Sequence, residues 1–558
     1  MKTRKAPAMQ RAFVCAFAAM VSCVAAGAGE VLYNGIALPD AWPPRRAKLT
    51  REPANIPYLK GPPKVIPIDV GRQLFVDDFL IADATGLKRT FHTARPHQGN
   101  PVVTYDKPWE REGRSPFASV FSDGVWYDPV DKLFKMWYLG GYLKTTCLAT
   151  SKGGLRWTKP ALDVEKGTNI VMRHYRDSST VWLDHAESDP KRRYKMFTTM
   201  RKGSWRLALH CSPDGIHWSK ALAVSPAIGD RTTVQYNPFR KVWVYGLRIS
   251  AAGTGRARAY REHRDPVAGM TWTGKDTVLW VGADKLDPHH PKFPKTAPQL
   301  YNLDCAPYES LMIGLFSIHQ GPSNRECSRL KIQKRNDILL GFSRDGFHFH
   351  RPDRRRFIGC SEIDGRWDWG NVQSAGGGCL VVGDKLYFFY SGRLRSAKFW
   401  DGRGSTGVAV LRRDGFASMD AGNQGALTTR PVRFKGRFLF VNADADGGEI
   451  RAEVLGADGK PVAPYTRANC VPVTADNTSQ TVTWRGARDL KPLSGRTVRL
   501  RFSMTKARLF AFWVSPEASG ASHGYVAAGG PGFTGPTDTV GAAATRKALS
   551  TPARKASP

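Results

Sequence analysis

The chain has 558 residues and a mass of 61.7 kDa, which at roughly 100 to 200 residues per domain indicates about three domains, or one large β architecture with a companion. Its 41% hydrophobic and 23% charged residues are typical of a globular protein. The 55 Gly, 37 Pro, 16 Trp, 17 Tyr and 27 Phe favour short strands joined by turns, so the predicted class is all-β. The net charge of +35 attracts polyanions and leaves nucleic acid, an anionic glycan and an anionic cell surface open as partners.

The N-terminus has the three parts of a secretory signal. Basic residues between positions 2 and 11 precede an apolar stretch over 12–26 and the small residues Ala26-Gly27-Ala28. We therefore predict a signal peptide over residues 1–28 and a periplasmic or secreted protein, with no transmembrane segment after the signal is removed. A lipoprotein signal at Met20-Val21-Ser22-Cys23 is the weaker alternative, because it lacks the usual leucine three residues before the cysteine.

The cysteines do not indicate a metal site or a disulfide framework. Seven of the nine follow the predicted signal peptide, and they are widely scattered without any C-x-x-C pair. We predict buried thiols for most of them, no metal and no cofactor.

A repeat decides the predicted architecture. Versions of the pattern S-x-[DG]-G-Φ-x-[WF] begin at Ser151, Ser212 and Ser343, with spacings of 61 and 131 residues. Each is a hairpin signal in which Asp and Gly form the turn and an aromatic residue packs on the next strand. Degenerate copies occupy 264–272 and 413–418.

A second repeated element precedes each of these boxes. It is a turn followed by an alternating apolar strand, and its copies lie at 127–138, 189–197, 236–245, 306–316 and 383–390. The two elements together describe a four-stranded blade, so five copies predict a five-bladed β-propeller. A β-sandwich with coincidental turn similarity does not explain the constant order of the two elements.

The repeat ends near Gly422, and a different all-β pattern with clean apolar alternation follows. We predict a propeller over residues 66–422 and a β-sandwich over 423–516. From 517 to 558 the chain is rich in Gly, Ala, Ser, Thr and Pro with basic residues near its end, a composition that predicts a disordered basic tail.

The boxes, the Asp-Pro turns and the opening segment Leu74-Phe75-Val76-Asp77-Asp78-Phe79 resemble the five-bladed propeller glycoside hydrolases. The resemblance is greatest to exported bacterial proteins described as glycosyl hydrolase family 32-like or family 43-like, with a C-terminal β-sandwich. It implies that the boxes are structural and that carboxylates at the starts of the innermost strands carry the chemistry. The Asn-Asp-Pro-Asn-Gly signature of invertases is absent, so the acid triad is not transferred by motif.

Counting back from each turn locates the starts of the innermost strands. Two neighbouring blades begin with an acid at the same register, Asp177 and Asp230, and the other blades offer Glu112, Asp304 and Asp368. Glycoside hydrolysis needs one protonated and one ionised carboxyl group, which converging acids of unequal environment supply. These five are the predicted catalytic candidates, although an Asp before a strand is also a common turn residue.

The same segments supply the predicted substrate-binding residues. Arg114, Arg176 and Arg231 adjoin the acids and are suited to holding them ionised or to binding an anionic sugar. Aromatic side chains that are suited to packing on a sugar are Trp367, Trp369 and Tyr301.

The leading hypothesis is therefore an exported glycoside hydrolase acting on a polysaccharide or oligosaccharide, with an acidic glycan as a candidate substrate. The alternative is a non-catalytic glycan-binding propeller that keeps the funnel and lacks the acid pair. Nucleic-acid binding is not favoured, because the basic residues are spread through every blade and no nucleic-acid module is recognised.

Overall fold

The structure is a computed structural model that describes residues 29–395 and 402–549, so the predicted signal peptide lies outside the described residues. Within those ranges the chain is nearly all β, and five sheets arranged as blades confirm the predicted β-propeller. No helix in the described part of the chain is both long and apolar enough to cross a membrane.

Each blade is an antiparallel sheet whose innermost strand starts at the funnel. In blades one and five the innermost strand is in two pieces, Ala118–Ser119 with Val125–Asp128 and Gly370–Ser374 with Leu380–Val382. From these outward, blade one continues with Leu133–Gly140, Thr145–Ser151 and Ile170–Arg173, and blade five with Lys385–Arg393, Gly404–Arg412 and Arg95–Pro96. From the inside outward the other strands are Arg176–Leu183, Tyr194–Lys202, Ser204–Ser212 and Ala223–Ala227 in blade two; Thr233–Asn237, Val242–Ala251, Gly255–His263 and Val278–Gly282 in blade three; and Gln299–Glu309, Leu311–Gly321 and Arg335–Ser343 in blade four.

The ring is closed by the N-terminal side of the propeller. Arg95–Pro96 pairs antiparallel with the strand Gly404–Arg412, and the N–H of His97 donates to the carbonyl of Val408 at 2.9 Å. The outer edge of blade five therefore comes from a segment that precedes blade one, and the backbone hydrogen bonds hold the two ends of the propeller together.

The repeated boxes form the predicted turns. In each, the serine hydroxyl oxygen accepts the N–H of the glycine three residues on, at 2.9 Å from Ser151, Ser212 and Ser343. Asp214 also accepts the backbone N–H groups of two following residues. Partial burial raises the pKa of Asp214, but its hydrogen bond with the His217 side chain, together with these backbone bonds, outweighs burial and lowers the pKa to about 2. The boxes are structural, as the resemblance implies.

Each box also joins its blade to the preceding one. The indole N–H of Trp137 in blade one donates to the carbonyl of Gly215 at 2.7 Å, and that of Trp280 in blade three donates to Phe347 at 2.8 Å. In blade one the ring of Trp157 packs edge-on against Phe389 of blade five. One local sequence pattern thus makes both a turn and a joint between blades.

The C-terminal domain is a second all-β unit. Its strands are joined in one eight-stranded, sandwich-like sheet, and their apolar side chains meet in one core. The strands are Gln73–Leu74, Ile81–Phe91, Ala417–Thr429, Phe438–Asp444, Glu449–Leu455, Asp476–Val482, Arg499–Thr505 and Ala507–Ser515, with the pair Ile66–Pro67 and Val432–Arg433 beside them.

The predicted boundary between the two domains needs correction. Strand Ile81–Phe91 pairs with Ala417–Thr429 and Ile66–Pro67 pairs with Val432–Arg433, so residues 66–91 belong to the C-terminal domain and not to blade one. Strand Ala417–Thr429 also runs through the expected boundary at 422. The repeat pattern predicts strands but not their partners. The partner of Ile81–Phe91 lies more than 300 residues further along the chain, so no local pattern indicates it.

The prediction of disorder from residue 517 is wrong for the part of this segment that the structure describes. Tyr525–Val526 pairs with the far end of the innermost strand of blade four, and Ala528 and Gly529 exchange hydrogen bonds with blades one and five. Small residues allow the segment to lie this close to the propeller, because a Cβ on Gly530 would lie 1.8 Å from a backbone oxygen of Val381. The segment has too few apolar residues to form its own core, and it packs on the propeller instead. Residues 550–558 lie outside the described residues.

Helices are short connections. The α-helices are Pro57–Lys60, Asn324–Leu330 and Ala542–Leu549, and the described 3-10 helices are Pro108–Arg111, Pro190–Arg192, Ala268–Met270, Gly274–Asp276 and Lys491–Leu493. The seven cysteines among the described residues are free and buried, as expected for packing thiols.

The joint between blades one and two gives a stability prediction. Gly215 has φ +79° and a Cβ there would lie 2.4 Å from the Trp137 ring, so Gly215→Ala should lower the free energy of unfolding by about 2–4 kcal/mol through strain and overpacking. Gly153→Ala is the matched control, since a Cβ there meets nothing within 4 Å. Urea denaturation should separate the two variants, and equal midpoints would contradict this account of the boxes.

Candidate functional site in the propeller funnel

Three neighbouring inner strands bring polar side chains together at one end of the propeller. Asp177 is the second residue of the innermost strand of blade two, Asp230 and Arg231 precede that of blade three, and Tyr301 is the third residue of that of blade four. The Arg231 Nε atom lies 3.0 Å from an Asp177 carboxylate oxygen. We call the group of Asp177, Asp230, Arg231 and Tyr301 the funnel cluster.

The guanidinium of Arg231 is the centre of the cluster. Its central carbon lies 4.2 Å from the centroid of the Phe121 ring in blade one and 5.6 Å from that of Tyr301 in blade four. Phe121 lies in a break of the inner strand of blade one and has φ +37°, a rare conformation for a residue other than glycine. Backbone strain of this kind concentrates at functional sites.

The two acids of the cluster have unequal environments. The Asp177 side chain is 12% exposed, whereas the Asp230 side chain is 40% exposed and lies 3.7 Å from Arg248. Burial raises the pKa of Asp177 and the charge of Asp230 raises it further, while Arg231 and Arg393 oppose the rise. The cluster therefore pairs a sheltered carboxyl group with a solvent-facing one.

Cations surround the phenol of Tyr301. The Lys334 ammonium nitrogen lies 3.5 Å from its hydroxyl oxygen, and the Arg256 guanidinium lies 5.0 Å from its ring centroid. Burial alone would raise the pKa of Tyr301, but Lys334, Arg231 and Arg256 outweigh it and lower that pKa to about 8. The site thus contains a phenol that ionises more readily than usual.

Arg393 adds a further cation from blade five. Its guanidinium lies 5.0 Å from the ring centroid of Phe117 and 5.5 Å from that of Tyr142. Among the described residues, no carboxylate lies within 4 Å of the guanidinium of Arg393 or Arg256. Positive charge exceeds negative charge in and around the cluster, which favours binding of an anion.

Asp304, one of the predicted catalytic acids, is buried inside the propeller. It is buried on the inner strand of blade four, where it accepts hydrogen bonds from Asn302 at 2.8 Å and from Ser374. Burial raises its pKa to about 6. The fully buried Arg258 lies between this group and the cluster, donating to the carbonyls of Arg231 and Tyr301 and to the Asn302 side chain. Asp304 is therefore held by inner-strand side chains of blades four and five, and Arg258 connects its partner Asn302 to the backbone of the funnel cluster.

The prediction that Arg176 binds substrate needs correction. Its guanidinium is fully buried and paired with both carboxylate oxygens of Asp123, at 2.5 and 2.8 Å. The strand bulges at this position, between Arg176 and Ser179. Arg176 therefore stabilises the joint between blades one and two, where no ligand reaches it.

The remaining predicted residues do not join the funnel cluster. Glu112 forms an exposed ion pair with Arg173 at 2.8 Å, and Asp368 is buried and paired with Arg366 at 3.1 Å. Trp367 packs on Tyr390 within blade five. Trp369 and Arg114 lie on connecting segments. Trp369 lies under the Arg395 guanidinium. Arg114 is exposed, and the carbonyl of the next residue, Ser115, accepts the N–H of Tyr142.

Three residues of the site were absent from the predicted set: Tyr142, Arg256 and Lys334. All three lie at or beside the end of a second or third strand of a blade, on the side where the inner strands start. A search of the hairpins that connect those strands would have found them as aromatic or basic residues beside a turn. Among the described residues, no group of three or more His, Cys, Asp or Glu side chains is arranged to hold a metal ion.

Comparisons with known proteins give only distant likenesses. No protein-family profile matches the chain, and no curated protein matches it. Solved structures that resemble it include a thermostable family-43 glycoside hydrolase (TM-score 0.37, 12% identity, 54% of this chain and 93% of that one). Others are a fructofuranosidase from Schwanniomyces occidentalis (0.33, 10%, 75% and 97%) and an endo-arabinase from Bacteroides thetaiotaomicron (0.33, 11%, 52% and 94%). These likenesses assign no residue and no substrate.

The cation-rich surroundings of Tyr301 predict an early-titrating phenol. An ultraviolet titration of wild type and Tyr301→Phe should differ by one phenol with a pKa of about 8, because three cations favour the phenolate. Tyr142→Phe is the matched control, since burial raises the pKa of Tyr142 above the ordinary value of 10.0. A difference titration for Tyr301 at or above pH 10 would contradict the described geometry.

Proposed function

We propose that this protein is a glycoside hydrolase that cleaves glycosidic bonds in an anionic glycan, with the funnel cluster as its active site. The proposal rests mainly on one observation: Asp177 and Asp230 start neighbouring inner strands at the funnel and lie beside an excess of cations. Hydrolysis of a glycoside needs a proton donor and a second polar group acting at the anomeric carbon. Asp177 and Asp230 converge and differ in burial, which suits one of them to be the proton donor.

Asp177 is the proton donor in this proposal. Burial and the neighbouring Asp230 raise its pKa, so its carboxyl group holds a proton at higher pH than an exposed aspartate. Asp230 reaches solvent and contributes the negative charge that keeps the proton on Asp177. The backbone keeps the pair together, because the Ser178 hydroxyl donates to the Asp230 carbonyl at 3.2 Å.

The cations support an acidic substrate. Arg393 is almost fully buried and, within the described ranges, has no carboxylate partner, and a buried cation without a counter-charge is costly. A uronate or sulfate group would supply that charge and match the planar guanidinium groups of Arg231 and Arg393. Arg114 is exposed near Tyr142 and is a further candidate for the rim of the site.

We also propose that the protein acts outside the cytoplasm, as a periplasmic or secreted protein. The support is the signal-like N-terminus, in which basic residues precede the apolar stretch over 12–26. An extracellular polysaccharide would be a fitting substrate there.

A non-catalytic glycan-binding protein is the second candidate. The observation that favours it is that three of the five predicted catalytic acids, Glu112, Asp304 and Asp368, are bonded to side chains outside the funnel cluster. Such a protein would bind the same anionic glycan through Arg231 and Arg393 without cleaving it.

The first functional prediction concerns Asp177. Asp177→Asn should lower kcat/KM by about 10²–10⁴-fold, the usual contribution of a positioned acid, while Asp446→Asn, an exposed change in the C-terminal sheet, should leave it unaltered. Rates should be compared per folded molecule, measured from thermal melts, because loss of Asp177 also removes a partner of Arg231.

Asp230→Asn provides an independent second variant. Removal of its negative charge should lower the pKa of Asp177 and so move the alkaline limb of the pH–rate profile to lower pH. Turnover that is unchanged in both Asp177→Asn and Asp230→Asn would exclude the proposed acid pair. Tight glycan binding without turnover in wild type would favour the non-catalytic candidate.

The second functional prediction concerns charge. If the cations bind an acidic group, kcat/KM on an anionic polysaccharide should fall as ionic strength rises past about 0.15 M, where the screening length drops below about 8 Å. Turnover of a neutral polysaccharide should barely respond. Equal salt sensitivity on both, or a preference for the neutral one, would show that the net charge of +35 is unrelated to the substrate.

A further inference from the structure

The proposed site has a proton donor but no assigned nucleophile. A displacement that retains configuration needs both, and the second group is usually a carboxylate. The other carboxylates of the inner blades are held by other groups: Glu112 by Arg173, Asp368 by Arg366, Asp123 by Arg176, and Asp304 by Asn302 and Ser374. Asp230 is turned toward solvent beside Arg248.

We propose that Tyr301 is the nucleophile of this active site and that its phenolate oxygen attacks the anomeric carbon of an anionic sugar. The inference rests on the proposed glycosidase function. Its geometric basis is that Asp177 and Tyr301 both lie against the guanidinium of Arg231, at 3.0 Å from its Nε and with a ring centroid 5.6 Å from its central carbon. One bound sugar can therefore reach both side chains.

The surroundings of Tyr301 suit a phenolate. The groups that face it are the cations Lys334, Arg231 and Arg256, the carboxylate of Asp230, and the side chains of Tyr142 and His319. Burial lowers the pKa of His319 to about 3, so that ring is neutral at physiological pH and adds no charge. With a pKa of about 8 for Tyr301, roughly a tenth of the phenol is ionised at pH 7. Nearby cations are a recognised means of activating such a nucleophile.

The reaction balances without any added reagent other than water. In the first step the Tyr301 oxygen forms a bond to the anomeric carbon, the bond to the leaving oxygen breaks, and Asp177 gives that oxygen its proton. In the second step Asp177, now ionised, takes a proton from water as the water oxygen bonds to the anomeric carbon and the phenolate leaves. Lys334 and Arg256 stabilise the phenolate before the first step and after the second.

Trapping of the covalent intermediate tests this assignment. Wild type, Tyr301→Phe and the control Tyr387→Phe, a change in blade five outside the funnel cluster, would be treated with 2-deoxy-2-fluoro glycosyl fluorides of glucuronic and galacturonic acid, in both anomeric forms. Intact mass and peptide mapping would follow the protein, and proton NMR would report the first anomer released from a matching aryl uronide. We expect one glycosyl group on the Tyr301 peptide in wild type and Tyr387→Phe, none in Tyr301→Phe, and retention of configuration. Hydrolysis by Tyr301→Phe should fall at least 10³-fold relative to wild type.

The outcomes separate this proposal from the one on which it rests. An adduct on Asp177 or Asp230, release of the inverted anomer, or hydrolysis by Tyr301→Phe within tenfold of wild type would overturn the role of Tyr301 and leave the glycosidase function standing. Absence of both adduct and hydrolysis in folded wild type, on uronides and on acidic polysaccharides alike, would overturn both proposals. A loss of hydrolysis in Tyr387→Phe equal to that in Tyr301→Phe would also overturn the role of Tyr301, because the effect would then not be specific to this phenol.

Discussion

The guanidinium of Arg231 is the interaction on which the funnel depends. It comes from blade three, pairs with Asp177 of blade two and packs on the rings of Phe121 in blade one and Tyr301 in blade four. Arg393 of blade five approaches the same Phe121 ring at 6.0 Å, so all five blades contribute to one small volume. Because a buried cation needs a counter-charge, the position of Arg231 constrains the acid beside it.

The architecture was predictable where its chemistry is local. The serine, aspartate and glycine of each box make their hydrogen bonds within a few residues, so their spacing alone marks a turn and, repeated, a propeller. The pairing of Ile81–Phe91 with Ala417–Thr429 joins distant segments through backbone groups and leaves no local signal. The same holds for the far end of the propeller, where Glu309 bonds Arg413 and Ser522 in a fully buried network.

Residues of the site could be predicted where the register of an inner strand determines the direction in which its side chains point. Counting back from the turns placed Asp177, Asp230, Arg231 and Tyr301 at or just before the starts of neighbouring inner strands, and the structure brings these side chains together. It failed for Arg176, whose partner Asp123 lies in an irregular break of blade one, and for Asp368, which pairs with its local neighbour Arg366. Register also said nothing of Lys334 and Arg256, which reach Tyr301 from other strands of their blades.

The central claim is that this funnel, and no other surface, holds the acidic group of a glycan substrate. A crystal structure of Asp177→Asn with a bound uronic acid oligosaccharide measures that directly. The account predicts a sugar carboxylate within hydrogen-bond distance of both Arg231 and Arg393, and a glycosidic oxygen within about 3.2 Å of the side chain at position 177. An oligosaccharide bound on the outer faces of the blades or on the C-terminal sheet, with the funnel holding only solvent, would contradict it.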